Sequence, residues 1–74
     1  MDETAKELAG IAASIAGHCR PCFRHHLKKA KELEVPMDDI NEVVMFARDI
    51  SAAGDEKMYA FASKRLQQKR GENI

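Results

Sequence analysis

The feature that most constrains this chain is a Cys-x-x-Cys pair set between a helix stop and a helix start. Residues 17 to 27 read Gly-His-Cys-Arg-Pro-Cys-Phe-Arg-His-His-Leu and hold both cysteines, all three histidines and one of the two prolines. Gly17 closes one helical pattern. Pro21 suits the first turn of the next, where a missing N–H forfeits no hydrogen bond. The thiols therefore fall at the start of a helix, with His26 one turn inside it. At about 100° per residue, Cys19, Cys22, His26, Ala30 and Leu33 project from one side, and Arg20, Arg24, Lys28 and Lys31 from the other.

The rest of the pattern is helical, and no stretch alternates with the period of a strand. Thr4 and Glu7 read as a capping box, and Ala5, Leu8, Ala9, Ala12, Ile15 and Ala16 recur on one face of a first helix that Gly17 stops. Glu7 lies at the border of that stripe beside Ile11 and Ser14, as a cap, a partly buried carboxylate, or both. The second helix spans about residues 20 to 33, with Phe23, Leu27, Ala30 and Leu33 on its apolar side. Val35 and Pro36 break it, and Asp38 and Asp39 suit the positive end of a third helix reaching about Ala53.

Ile40, Val43, Val44, Ala47 and Ile50 form the stripe of the third helix. Met45 and Phe46 widen its apolar surface beyond what a small monomer needs, and Met45, among Glu42 and Asp49, reads as a subunit contact. Gly54 and Asp55 either end this helix or are absorbed as a kink. Met58, Tyr59, Ala62 and Leu66, with Phe61 on the flank, then predict a fourth helix, and residues 66–74 have little to bury and are expected to fray. The expected fold is all-α: one small helical domain over residues 1–74, of three to four helices, assembling through helix packing into a homo-oligomer.

Size supports that expectation. A chain of 74 residues buries only about 60% of the surface its unfolded form exposes, and two cysteines three apart cannot staple distant segments. Twelve basic residues balance twelve acidic ones, which leaves no electrostatic footprint for nucleic acid or an anionic membrane. The charged N-terminus leads into an apolar stretch too short to span a bilayer and without the basic leader of a signal peptide, so a cytoplasmic location is expected. That compartment keeps thiols reduced, and a close pair there serves redox chemistry or metal more often than structure.

A thiol reacts as its thiolate, which a helix N-terminus and a neighbouring imidazolium both favour. Cys19 and Cys22 meet the first condition, and His26, four residues past Cys22, can meet the second or accept a proton. A local disulfide would supply a two-electron couple without remodelling the fold. Zinc competes as a reading, through Cys19, Cys22, His26 and either His18 or His25, although four ligands within nine residues are hard to arrange tetrahedrally. Haem attachment fails because Phe23, not His, follows the second cysteine. The bland alternative is two buried cysteines acting as small hydrophobes beside a core histidine. His18, next to a helix C-terminus, and His25, at the edge of the stripe, rank below His26. No reading requires a bound cofactor.

Cys-x-x-Cys-x-x-x-His opening a helix, an apolar and basic helix, a short break, and an acidic start into Ile-x-x-Val-Val together resemble the carboxymuconolactone decarboxylase superfamily. Within it they resemble the alkylhydroperoxidase D-like branch. The similarity covers about residues 3 to 53 and includes Glu7, a carboxylate twelve residues before the first cysteine. It implies an all-helical homo-oligomer, commonly a trimer or hexamer, that reduces hydroperoxides and is re-reduced by a lipoyl-bearing or similar dithiol partner. Cys22 would then attack peroxide, Cys19 would resolve it to a disulfide, and Glu7 with His26 would relay the proton. Pro21 between the cysteines, and Glu34 in place of a helix-ending Gly, depart from that branch's pattern. Two classes of function follow: a thiol peroxidase or disulfide reductase, and a non-catalytic oligomeric module that shares only the helical frame, with or without a metal on the Cys/His cluster.

Overall fold

The computed structural model describes residues 1–72, with side chains as far as residue 68. Asn73 and Ile74 lie outside the described residues. Three helices follow one another, α1 (Glu3–Ala16), α2 (Arg20–Glu32) and α3 (Met37–Glu72), and no strand occurs among the described residues. The fold is all-α, as the sequence pattern requires.

The start of α1 differs from expectation. Asp2, not Thr4, is the N-cap: its carboxylate accepts a 2.7 Å hydrogen bond from the backbone N–H of Ala5. An aspartate both caps and carries the negative charge that a helix start favours, so it outcompetes a threonine two residues later. The Thr4–Glu7 capping box does not form. Glu7 is thereby released from any capping role.

Both inter-helix turns use the same device. After Ala16 the N–H groups of Gly17, His18 and Cys19 donate to the carbonyls of Ala13, Ile15 and Ser14, at 2.8, 3.2 and 3.0 Å. After Glu32 the N–H groups of Leu33, Glu34 and Val35 donate to Lys29, Lys31 and Ala30, each at 3.0 Å. In each case the last carbonyls of the helix find donors through one left-handed residue. That residue is His18 (φ 55°) in the first turn and Glu34 (φ 60°) in the second. Gly17, expected to provide the stop, sits at φ −88°. Val35, held by the second turn, is buried against the core, and Pro36 then offers its carbonyl to Asp39 and Ile40 to open α3.

α1 is the shared partner of α2 and α3. Ile11, fully buried, forms the centre of a core with Ala30, Val35 and Ile40, and Leu8, Phe23, Leu27, Val43 and Val44 close around it. Burying one such aliphatic side chain stabilises the fold by about 1.5–3 kcal/mol. The inward face of α1 is Glu7, Ile11 and Ser14 rather than the alanine stripe, since Ala5, Ala9 and Ala16 are exposed. Alanine offers little apolar area, so a face rich in it is easily outbid by an isoleucine and a paired carboxylate.

The expected fourth helix is the continuation of α3, which runs unbroken through Gly54 and Asp55. The segment expected to fray from residue 66 is helical as far as Glu72. At about 1.5 Å per residue, 36 residues span about 54 Å, while α1 spans about 21 Å. The molecule is accordingly elongated, 59 × 20 × 20 Å. Past Ala47, α3 outruns its partners: Ile50, expected in the core stripe, is 56% exposed, and Met58, Tyr59, Phe61 and Leu66 are likewise exposed.

Two opposite substitutions test the backbone reading. A Cβ at Gly54 would meet nothing within 4 Å, so Gly54→Ala inside a continuous helix should raise stability by about 0.5–1 kcal/mol. Glu34→Gly, at a left-handed position, should also stabilise, by up to about 1 kcal/mol. Urea unfolding measures both. A loss of stability for Gly54→Ala would mean that α3 ends there.

Candidate functional site

The site is built where α1 ends and α2 begins. Cys19 is the N-cap of α2, and its sulfur accepts a hydrogen bond from the backbone N–H of Cys22 at 3.2 Å. Pro21 lies in the first turn, where the sequence places it. Cys19 and Cys22 are joined as a disulfide. The bond closes within a single turn, so making or breaking it requires no movement of α1 or α3. Cys19 is half-buried and Cys22 is exposed, so the two thiols that helical spacing places on one side of α2 differ in exposure, and neither is buried as the bland alternative requires.

The second pair bridges α1 and α2. Glu7, only 6% exposed, accepts a 2.7 Å hydrogen bond at Oε1 from His26 Nδ1. It is the one ion pair among the described residues. The hydrogen bond from His26 holds the Glu7 carboxyl below its ordinary value of 4.5; desolvation opposes this, and the charges of His26, His25 and Lys29 reinforce it. An ionised carboxylate only accepts, so the proton sits on Nδ1 and Nε2 is left as the free ring nitrogen. The bond thus orients the imidazole one helical turn beyond Cys22. His25 packs edge-on against it, with ring centroids 4.9 Å apart.

Gly10 makes this geometry possible, and it is the residue that sequence reasoning passed over. A Cβ at Gly10 would lie 2.6 Å from Cγ and Nδ1 of His26 and 2.7 Å from Cε1. The ring therefore lies directly on the backbone of α1, one turn from Glu7. The signal was present: a glycine inside a helix costs about 1 kcal/mol relative to alanine, which calls for a packing reason. Ser14 completes the buried face, its hydroxyl donating to the Ile11 carbonyl at 2.7 Å.

Of the sequence-predicted residues, the structure thus joins Cys19 to Cys22 and Glu7 to His26, with both pairs meeting on the first two turns of α2. His18 stands apart from the imidazole pair, beside Cys19 on an open groove. Among the described residues, no three His, Cys, Asp or Glu side chains converge as a metal site would require. No described helix is long and apolar enough to cross a membrane.

The family model described as the Carboxymuconolactone decarboxylase family matches residues 1–63. No curated protein and no solved structure matches the chain. The matched span takes in both turns, the disulfide and the Glu7–His26 pair.

The geometry predicts a specific failure in Gly10→Ala. The new methyl should displace the His26 ring, and His26 should change from the Nδ1–H form to a mixture of tautomers in its ¹⁵N spectrum, although alanine is the better helix former. The pH dependence has a fixed sign. A carboxyl with a depressed folded pKa contributes fully above its unfolded value and loses that contribution as pH falls through the folded one. As pH falls below the ordinary carboxyl value of 4.5, the stability of the parent should therefore fall more steeply than that of Glu7→Gln; parallel curves in urea titrations would refute the pairing.

Proposed function

The chain belongs to the carboxymuconolactone decarboxylase family, and from that premise we propose that it is a thiol-dependent oxidoreductase of the alkylhydroperoxidase D type. Its working parts are the Cys19–Cys22 couple and a Glu7–His26 proton relay. The observation that carries this reading is the disulfide at the start of α2, one turn from an imidazole whose tautomer a nearly buried carboxylate fixes.

In the reduced protein, His26 Nε2 takes the proton of the Cys22 thiol while Glu7 stabilises the imidazolium. The Cys22 thiolate attacks the outer oxygen of a hydroperoxide, the O–O bond breaks, and the alcohol leaves with the proton returned by His26. Cys22 is then a sulfenic acid. Cys19 attacks it, the S–O bond breaks, water leaves and the disulfide forms. An external dithiol, lipoyl-bearing or similar, supplies two electrons and two protons to restore both thiols. A disulfide substrate enters the same cycle by exchange at Cys22. The exposure of Cys22 and the half-burial of Cys19 suit these two roles.

The proposal extends to assembly. Phe46 is 64% exposed and Met45, Ile50, Met58, Tyr59, Phe61 and Leu66 are all more than half exposed, a large apolar surface for a chain with so small a core. A homo-oligomer, trimer or hexamer, covers it, and a reducing compartment such as the cytoplasm keeps the couple cycling.

Alkylation followed by mass measurement tests the chemistry: hydroperoxide should remove both alkylatable thiols in the parent, and Cys22→Ser should abolish peroxide consumption. Glu7→Gln should keep the fold and slow oxidation of Cys22, by about 10²-fold or more if proton transfer is catalytic. Equal oxidation rates across the pH range would reduce Glu7 to a structural partner. Sedimentation at micromolar concentration should find a species several times the 8.3 kDa of one chain, and a compact monomer would contradict the assembly.

A further inference from the structure

The far half of α3 repeats a surface that its near half buries. Ile40, Val43, Val44 and Ala47 share the face of α3 that turns toward α1 and the core. Eighteen residues on, five turns of the helix, the same face carries Met58, Phe61, Ala62 and Arg65. Nothing lies over this second set: Met58 and Phe61 are more than half exposed, and no described side chain past Ala47 is buried. From residue 48 to Glu72 this leaves 25 residues, about 37 Å of helix, with an apolar stripe and no partner among the described residues. Helix propensity alone supports such a segment poorly in water, and Met, Tyr and Phe are side chains that association buries. The stretch is also self-complementary about one point. Reading inward, Asp55 matches Arg65, Glu56 matches Lys64, Met58 matches Ala62 and Tyr59 matches Phe61, all centred on Ala60; Lys57, matched with Ser63, is the one charge left over. Ala60 is also the midpoint of residues 48–72. None of these charges has an ion-pair partner within the chain, where the one such pair among the described residues is Glu7 with His26.

We propose that residues 48–72 of α3 pair antiparallel with the same residues of a second copy of this chain, about a two-fold axis beside Ala60. The contact is isologous, so each favourable match occurs twice. Asp55 of one copy comes level with Arg65 of the other, and Glu56 with Lys64, while Met58 and Phe61 meet Ala62 and Tyr59 across the axis. Glu72 of the second copy comes level with residue 48, where the cover supplied by α1 stops. The two small cores therefore stand at opposite ends and do not compete for the stripe. Parallel pairing does the reverse: it sets Asp55 level with Asp55 and crowds both cores at one end. The inference rests on the assembly reading above and names its surface and symmetry, and it is independent of the redox chemistry. A two-fold contact requires an even number of subunits, so a hexamer contains it three times and a trimer cannot contain it.

Sedimentation of the full chain tests the pairing. Arg65→Asp and Asp55→Arg each set like charges level at two places. Each should halve the assembled mass at concentrations where the parent holds together, with the dissociation concentration raised at least about tenfold. The protein carrying both substitutions has the charges exchanged and should regain the parent's mass. Direction is read separately, with a maleimide spin label on one added cysteine in protein whose native pair is closed as the disulfide. Labels at Asp49→Cys should stand about 33 Å apart along the helix axis, and labels at Lys57→Cys about 9 Å. An assembly of three subunits, single substitutions that leave the mass unchanged, a double substitution that does not restore it, or equal label distances at the two positions would each overturn this pairing while leaving the assembly reading intact. A parent that is monomeric at micromolar concentration would bring down the assembly reading, and this inference with it.

Discussion

A carboxylate that is almost out of water must be answered by a donor, and in this molecule the answer organises the packing of α1 on α2. Glu7 is 6% exposed and its one hydrogen-bond partner is His26, nineteen residues away on the next helix. Without that partner the desolvated charge would be left unpaired and would oppose the packing of α1 on α2. With it, Glu7, Ile11 and Ser14 turn inward, and Ile11 reaches the core that Ala30, Val35 and Ile40 close. The same bond fixes the height and rotation of the imidazole, and the ring can approach only because Gly10 has no side chain. Core packing and site geometry thus meet at a single inter-helix contact.

Much of this was legible in the chain, for reasons that differ by residue. The second helix and its placement of Cys19, Cys22 and His26 follow from local rules, since Pro21 and a 3.6-residue period act within one turn. The face of α1 was not legible in the same way. Its alanines mark a stripe by periodicity alone, yet a stripe of methyl groups carries little energy, and the contest was decided by a contact with His26 that no local rule contains. Thr4 and Asp2 illustrate a closer contest between two valid caps, in which Asp2 won by charge and freed Glu7 for its long-range partner. Gly54 looked like a stop because glycine is common past helix ends, but a C-terminal stop also requires a left-handed turn, and the strong helix formers on either side do not provide one.

The two left-handed residues show how much can be tolerated at a turn when the hydrogen bonds are complete. His18 and Glu34 each occupy a conformation that disfavours side chains, yet in both turns the carbonyls at the end of the helix receive backbone donors and a following residue is fixed in place. After Glu34 that residue is Val35, which seals the core. After His18 it is Cys19, whose sulfur caps α2. The energetic cost of each strained residue is thus set against a fixed element that everything downstream uses, in one case for stability and in the other for chemistry.

A disulfide closed within one helical turn has a consequence for how the site can work. Because Cys19 caps α2 and Cys22 lies three residues on, the two sulfurs cannot separate far when the bond opens, so its closure is intramolecular by construction of the helix and does not wait on a loop or domain motion. What the helix cannot do is present both sulfurs equally to solvent. Cys22 is exposed, and Cys19 is half-buried on the groove between the end of α1 and the start of α2.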